Sequence, residues 1–257
     1  MPAPDRPADE PVHAPHAPLP AYYPTPEARR GFIARAFDAA ARDYDRVDRL
    51  LAFGSGAWYR RQALLRAGVA PGMRVLDVAV GTGLVAKEAA RIVGDAGSVV
   101  GVDPSAGMIA ASGPSLFPTD KLALVRGRAE ALPFAAGVFD FLSLGFALRH
   151  VDDLESVLRE FRRVLRPGGR LLVLEITRPE SSVGAALLKG YMRGAVPWLS
   201  RLVARDPDTP RLYRYYWDTI EACAPPSRVL ATLAATGFAQ AERFVQLGIF
   251  SEYRARA

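Results

Sequence analysis

The sequence predicts an α/β fold in which helices cover both faces of a doubly wound, mostly parallel sheet. The first reason is that short apolar runs alternate with stretches of helical periodicity through the middle of the chain, which is the order of βαβ units. The second is a run of small residues at 81–83, directly after the first apolar run, where open sheets bind their ligands. Two more apolar runs near the C-terminus bring the predicted Rossmann-like sheet to seven strands.

The strands and helices follow from these patterns in chain order. The candidate strands are 74–80, 98–103, 121–127, 139–146, 170–177, 238–245 and 249–254. The candidate helices are an N-terminal helical cover at 28–67 and the segments 84–92, 152–166 and 226–236. We expect Asp152 or Asp153 to cap the helix at 152–166, and the Pro-Gly-Gly segment at 167–169 to end it and lead into the next strand.

One domain accounts for the whole chain after a short leader. Residues 1–25 are rich in Pro and Ala and are expected to form a disordered leader, which leaves His13 and His16 in solvent rather than on a metal. Residues 26–257 are expected to fold as a single domain of ordinary size. Within it, a helical insertion at 181–222, rich in Tyr and Trp, follows the fifth strand and is expected to act as a lid over the substrate.

Charge and cysteine content exclude several classes of protein. Lys plus Arg exceeds Asp plus Glu by 33 to 27, but the arginines are scattered and lack the aromatic platform of nucleic-acid binders, so we expect no nucleic-acid partner. The charge is interpreted as solvated helix faces, which also suit peripheral contact with an anionic membrane. The single cysteine, Cys223, favours a reducing cytoplasm and leaves no zinc spacing, so no metal is expected. The sequence does not decide between a monomer and a homodimer.

Two acidic residues beside the small-residue loop predict the ligand. Asp77 lies on the first strand, where it can reach an ammonium directly or through water, and Asp103 ends the second strand, where its carboxylate can accept from both hydroxyls of a ribose. A dinucleotide loop would place glycine at Ala86, although alanine is sometimes accepted there, and it lacks an acidic residue on the first strand. The combination predicts S-adenosylmethionine as cofactor. Taken alone, Asp103 and Pro104 are also compatible with a simple turn and helix start.

After the leader, nearly the whole chain resembles the ubiquinone and menaquinone biosynthesis C-methyltransferase family. The matching pieces are Phe37 with Asp38, Tyr44 with Asp45, 130–134, Phe139 with Asp140, 146–149, 163–175, 213–215, and Thr219 with Ile220. The pieces at 130–134 and 165–169 occur in many small-molecule methyltransferases, so 146–149 and 213–215 carry the resemblance to the quinone branch. The resemblance implies that 26–257 is a single methyltransferase domain.

The resemblance also implies cofactor contacts at Thr82, Asp103, Arg128, Ala129 and Gly145, and a substrate role for Tyr44. With the residues of the loop, the full expected cofactor set is Asp77, Ala79, Gly81, Thr82, Gly83, Asp103, Pro104, Arg128, Ala129 and Gly145.

Three positions depart from the family pattern. Arg128 stands where the family usually has Asp or Asn to accept from the adenine amino group; because Arg only donates, its side chain is expected to point outward and leave the Ala129 backbone to bind adenine. Val80 replaces the first glycine of a pair, which is expected to narrow the room slightly. His150 replaces an asparagine that usually follows Arg149.

Methyl transfer from a sulfonium is an in-line displacement, so the protein must supply positioning and proton removal. Arg149 is predicted to favour the ionised form of a phenolic acceptor, and His150 to take the phenolic or ring proton. Two alternatives stay open. One is that His150 fixes the turn after the fourth strand, and the other is that Arg149 forms an ion pair with Asp152 or Asp153. The remaining tyrosines, Tyr213, Tyr215 and Tyr216, are mostly expected in the core.

The expected function is therefore methylation of a small aromatic acceptor, with a ring carbon of a quinol as the favoured target. Two alternatives are an O-, N- or C-methyltransferase of secondary metabolism and a non-catalytic S-adenosylmethionine-binding module. A nucleic-acid methyltransferase is disfavoured because 145–148 reads Gly-Phe-Ala-Leu and not Asn or Asp before Pro-Pro-aromatic.

Overall fold

The computed structural model describes residues 14–51, 54–112, 122–203 and 209–257. Its strands are β1 (Arg74–Val78), β2 (Ser98–Asp103), β3 (Leu122–Arg126), β4 (Phe139–Gly145), β5 (Leu165–Ile176), β6 (Ala239–Gln246) and β7 (Phe250–Arg256). They form one seven-stranded sheet in the order β3-β2-β1-β4-β5-β7-β6, in which β7 runs antiparallel to both of its neighbours. The predicted doubly wound, mostly parallel sheet is confirmed.

Helices cover the sheet on both faces. They are α1 (Pro26–Leu51), α2 (Gly56–Ala67), α3 (Leu84–Val93), α4 (Ala106–Ser112), α5 (Leu154–Val164), α6 (Ser182–Gly190), α7 (Val196–Val203), α8 (Thr209–Ala222) and α9 (Pro226–Ala235). The predicted N-terminal cover therefore consists of two helices. Between them Gly54 has a φ of +76°, a left-handed conformation that favours glycine.

Two apolar clusters hold the sheet between its helix layers. On one face, Phe161 of α5 and Leu233 of α9 are fully buried against the central strands. On the other face, Leu64 of α2 and Ala89 of α3 pack against β1, β4 and β5. Because both faces are covered, the central strands are mostly apolar, and this explains why they stand out in the sequence.

The ends of several elements differ from the predicted bounds. β1 stops at Val78 because Ala79 has a φ of +53°, and β4 stops at Gly145 because Phe146 has a φ of +58°. The Pro-Gly-Gly segment at 167–169 was expected to separate α5 from the next strand, but it lies inside β5. Its extra residues are accommodated by a shift in register opposite β4. Asp153 is the cap of α5 and accepts a hydrogen bond from the Ser156 amide at 2.6 Å.

The expected disordered leader is wrong for residues 14–25, which pack against α8; residues 1–13, with His13, lie outside the described residues. Tyr23 is 2% exposed, and the Tyr22 hydroxyl donates to Asp218 at 2.5 Å. His16 was expected to be exposed to solvent, but it is buried. The Pro- and Ala-rich composition of the segment predicts disorder and outweighs the signal of these two tyrosines. Their burial offsets the entropy cost of ordering the segment.

The predicted helical insertion after the fifth strand is confirmed. It comprises α6, a π-helical turn at Tyr191–Ala195, α7 and α8. The expectation of core positions also holds for Tyr213, Tyr215 and Tyr216, which are at most 7% exposed and pack between the insertion and α1. Across the described parts of the chain, no helix combines the length and apolar character that crossing a bilayer requires.

Candidate cofactor and acceptor site

A cavity of about 280 Å³ opens at the carboxyl edge of the sheet. The parallel pairing of β1 with β2 and β4 brings the ends of these strands together, and α1 forms a further wall. The predicted site residues that line it are Tyr44, Ala79, Gly81, Asp103, Pro104, Arg128, Ala129, Gly145 and His150. Four other predicted residues, Asp77, Thr82, Gly83 and Arg149, lie outside its wall.

The loop after β1 owes its shape to glycine. Gly81 has a φ of +55° and Gly83 a φ of +87°, both unfavourable for residues with a Cβ. A Cβ built on Gly81 would meet no atom within 4 Å, so the backbone here borders open space. Val80 was expected to narrow that space, but it does not, because its side chain packs over Gly101 of β2 and is buried in the core.

Asp103 is held at the cavity wall by two backbone amides. Its Oδ2 accepts from the Gly81 amide and its Oδ1 from the Ser105 amide, each at 2.8 Å. Burial raises the pKa of Asp103, and these two hydrogen bonds oppose that rise. Because each carboxylate oxygen can accept a second hydrogen bond, Asp103 can still receive a pair of hydroxyls from a ribose.

Asp77 is a buried carboxylate with one unused oxygen. Oδ1 accepts from the Ser143 hydroxyl at 2.6 Å, whereas Oδ2 makes no hydrogen bond of ordinary geometry with any described residue. Burial raises the pKa of Asp77 to about 7, against hydrogen bonds from Ser143 and the Ala86 amide. A buried, unpaired carboxylate oxygen calls for a cationic partner. The ammonium of S-adenosylmethionine meets that need, so the residues present fit the predicted cofactor.

Two aspartates of α1 fasten this helix to the loops of the sheet. Asp45 accepts from the Thr82 hydroxyl at 2.5 Å. Asp38 accepts from the Ser105 hydroxyl and from the Gly107 amide, the latter at 2.9 Å. Sequence reasoning quoted both aspartates within the family resemblance but assigned them no role. Their spacing of seven residues, which puts them on one helix face, was the available signal.

Arg128 is part of the cavity wall, and its side chain is 42% exposed at the cavity mouth. Its guanidinium donates to Asp152 at 2.5 Å and to Glu130 at 3.3 Å. Arg30 of α1 donates to the same Asp152 carboxylate at 2.7 Å. Asp152 thereby joins α1 to the loops after β3 and β4 at the mouth of the cavity.

His150 combines a cavity position with an aromatic environment. It ends a 3₁₀ turn (Leu148–His150) after β4. Its ring stacks on Tyr215 with a centroid distance of 5.5 Å, and its Nδ1 lies 3.4 Å from the Tyr215 hydroxyl. Nε2 is buried and has no partner among the described residues. Burial and the positive charge of Arg149 hold the pKa of His150 well below the usual histidine range, so the imidazole is neutral at pH 7.

Arg149 lies behind His150 and is 3% exposed. Its Nη1 donates to Glu175 of β5 at 2.7 Å, and the guanidinium lies 5.1 Å from the centroid of the Tyr216 ring. The alternative of an ion pair between Arg149 and Asp152 or Asp153 is therefore wrong, since Asp152 binds the arginines at the cavity mouth and Asp153 caps α5. Glu175 also accepts from the Leu148 amide at 2.8 Å, so the ion pair fixes the turn that carries His150.

Tyr44 completes the aromatic end of the cavity beside Phe37 and Phe146. Burial raises the pKa of Tyr44, so its hydroxyl stays protonated at neutral pH. Among the residues that the structure describes, no three His, Cys, Asp or Glu side chains cluster in a way that would hold a metal ion.

Comparison with known proteins identifies relatives along most of the chain. The model of the ubiE/COQ5 methyltransferase family matches residues 25–251. The ubiquinone/menaquinone biosynthesis C-methyltransferase UbiE of Hahella chejuensis is 38% identical over 195 residues, which cover 75% of this chain and 77% of the relative. The demethylmenaquinone methyltransferase of Mycolicibacterium paratuberculosis is 35% identical over 207 residues, covering 80% and 85%.

Solved structures resemble the fold. A SAM-dependent methyltransferase from Aquifex aeolicus superposes with a TM-score of 0.57 at 18% identity, over 77% of this chain and 88% of that one. A SAM-dependent methyltransferase from Thermotoga maritima, described as a possible histamine N-methyltransferase, gives a TM-score of 0.58 at 20% identity, over 86% and 98%. At this level of identity the likeness concerns the architecture alone.

Proposed function

The chain belongs to the ubiE/COQ5 methyltransferase family, and from that premise we propose that it methylates a ring carbon of a quinol-type acceptor with S-adenosylmethionine as donor. The observation that carries the proposal is a single cavity that joins a carboxylate-and-glycine loop to an aromatic wall bearing a neutral histidine. The names of the relatives favour this activity over O- or N-methylation and over a non-catalytic binding module.

In this proposal the strand ends hold the cofactor. Asp103 receives the ribose hydroxyls, Asp77 the ammonium, and the backbone of Arg128 and Ala129 borders the adenine. Gly145 lets the Val85 side chain of α3 pack closely on the end of β4, since a Cβ there would come within 2.8 Å of that side chain. The bound cofactor supplies an electrophilic methyl carbon on a sulfonium sulfur.

The aromatic end orients the acceptor and removes its proton. Phe37, Tyr44 and Phe146 form an apolar wall suited to a flat ring. When Nδ1 of His150 carries the proton and faces the Tyr215 hydroxyl, Nε2 is unprotonated and can act as a base. His150 then accepts the phenolic or ring proton. Arg149 is a positioning residue in this scheme, because it fixes the turn and keeps His150 neutral.

The test follows the labelled methyl group. The protein is incubated with methyl-labelled S-adenosylmethionine and either a demethylated quinol analogue or a panel of simple phenols, and the position of the label is read by nuclear magnetic resonance. We expect label on a quinol ring carbon. Label on oxygen, or preference for the phenols, would refute the proposed acceptor.

His150→Asn tests the base. We expect turnover to fall by about 10²- to 10⁴-fold, the usual contribution of a general base, with cofactor affinity unchanged. An increase in turnover would mean that the residue usual in the family is preferred and that His150 is not the base.

We also propose that the enzyme works in the cytoplasm against an anionic membrane surface, through α6 and α7. The segment 181–205 contains three large, exposed apolar side chains and no Asp or Glu. Val183, Leu187 and Trp198 are between 60% and 71% exposed. Lys189 and Arg193 pair with carboxylates of α8 but remain 47% exposed. Apolar side chains flanked by cations suit an interface of anionic lipids.

A further inference from the structure

Arg60 is a buried cation whose hydrogen bonds are incomplete. It belongs to α2 and is 6% exposed. Its Nη2 donates to Asp48 of α1 at 2.6 Å, but its Nε is buried and has no partner among the described residues. A guanidinium presents five N–H donors in a fixed plane, and leaving a buried one unpaired is costly. Arg60 therefore has capacity for another anion.

Arg60 lies near the carboxyl ends of two paired strands, β1, which carries Asp77, and β4, which leads to Phe146. Its guanidinium is 5.8 Å from the centroid of the Phe146 ring, and Phe146 is part of the cavity wall. The positive charge of Arg60 also acts on two groups of the site. Burial raises the pKa of Asp77 and of Tyr44, and the charge of Arg60 opposes both rises. The contact with Phe146 thus places the cation just beyond the end of β4, the strand paired with the one that carries Asp77.

The two side chains complement each other without pairing. Asp77 has one buried oxygen and Arg60 one buried N–H that lack partners, and no hydrogen bond or ion pair between them occurs within the described ranges. A zwitterionic amino-acid group carries an ammonium, which complements Asp77, and a carboxylate, which complements Arg60. We propose that Arg60 binds the α-carboxylate of the methionine moiety of S-adenosylmethionine while Asp77 receives its ammonium. The assignment rests on the cofactor and is independent of the acceptor.

Calorimetric titration with three ligands, in the absence of any acceptor, tests this assignment. S-adenosylmethionine carries both charges, its decarboxylated form carries only the ammonium, and 5′-methylthioadenosine carries neither. For Arg60→Gln we expect the affinity for S-adenosylmethionine to fall by about tenfold or more, as for loss of a charge-assisted hydrogen bond. The affinities for the other two ligands should change by less than about twofold. Loss for all three ligands alike, or for none, overturns the proposal.

Two further variants keep the test specific. Arg61→Gln removes the neighbouring, exposed arginine of the same helix and is expected to leave all three affinities unchanged. Asp77→Asn should weaken S-adenosylmethionine and its decarboxylated form together while sparing 5′-methylthioadenosine. If Arg60→Gln does not fold, the wild-type protein decides: it must bind S-adenosylmethionine about tenfold more tightly than the decarboxylated form, and equal affinities overturn the assignment. Because no methyl acceptor is present, these outcomes do not depend on the proposed reaction.

Discussion

His150 links proton binding to stability. Its pKa in the folded protein is well below the value of an exposed histidine, because of burial and then Arg149. The unfolded chain therefore binds a proton near pH 6.5 that the folded chain still refuses. The stability contributed by the neutral ring is complete above that pH and is lost as the pH falls below it towards the folded pKa.

We accordingly expect the thermal unfolding midpoint of the wild type to drop more steeply between pH 7 and pH 5 than that of His150→Asn. One proton corresponds to at most about 1.4 kcal/mol per pH unit. His16→Asn is the companion variant: it removes another buried histidine of lowered pKa and keeps His150, so by the same linkage it should also flatten the slope. Equal slopes in the wild type and His150→Asn would contradict the neutral state assigned to the ring.

The ion pair of Arg149 with Glu175 combines a structural and a functional role that substitution can separate. Arg149→Ala leaves Glu175 buried without its cationic partner, so we expect a loss of about 3–5 kcal/mol in the free energy of unfolding, with turnover abolished and cofactor binding still measurable.

The double variant Arg149→Met with Glu175→Gln removes both charges and should recover most of the stability without recovering turnover. Urea unfolding and a methyl-transfer assay measure the two effects. Wild-type turnover in the double variant would reduce Arg149 to a structural residue.

At the residue level, the sequence predicts positions better than partners. Asp77 and Asp103 can be located because a carboxylate in or after an apolar run is conspicuous. The partner of Arg149 cannot be, since Glu175 lies on the neighbouring strand, 26 positions away, and its approach depends on strand register. Buried oxygens and N–H groups without partners, such as those of Asp77 and Arg60, leave no trace in a sequence.

At the scale of elements, strand bodies are predictable and their ends are not. Burial on both faces makes each central strand mostly apolar and therefore easy to recognise. Ala79 and Phe146, in contrast, end their strands through positive φ values that neither residue type predicts. The Pro-Gly-Gly segment signals a turn, yet pairing with the C-terminal residue Ala257 keeps it within β5. Contacts with residues distant in sequence therefore determine where these strands begin and end.

The α6 and α7 surface makes a prediction that belongs to these helices. Leu187→Ser with Trp198→Ser should lower binding to vesicles that contain anionic lipid by about tenfold, because two large apolar groups no longer enter the interface. Sedimentation with vesicles measures the change. Trp58→Ser is the matched control, since Trp58 is 58% exposed on α2, outside this surface. Unchanged binding of the double variant would exclude the surface as the docking site.

For the molecule as a whole, α1 connects the parts that make up the site. It supplies five residues of the cavity wall, it contacts the loops after β1 and β2 through Asp45 and Asp38, and it packs against α8 of the insertion. The N-terminal segment adds a second layer, because Arg29 of α1 donates to the main chain of Arg149 and contacts His16. Cofactor loops, insertion and N-terminus therefore meet on one helix.

Loosening α1 should consequently affect the whole site. Asp38→Ala removes the acceptor for the Ser105 hydroxyl and the Gly107 amide, and we expect it to lower the free energy of opening of α1 by about 1 kcal/mol, roughly a fivefold increase in amide exchange. The affinity for S-adenosylmethionine should fall with it, because α1 walls the cavity. Hydrogen exchange by mass spectrometry and calorimetry measure the two effects. Glu242→Gln, on the distant edge strand β6, should leave both unchanged. Unaltered exchange in α1 of Asp38→Ala would mean that apolar packing alone holds the helix in place.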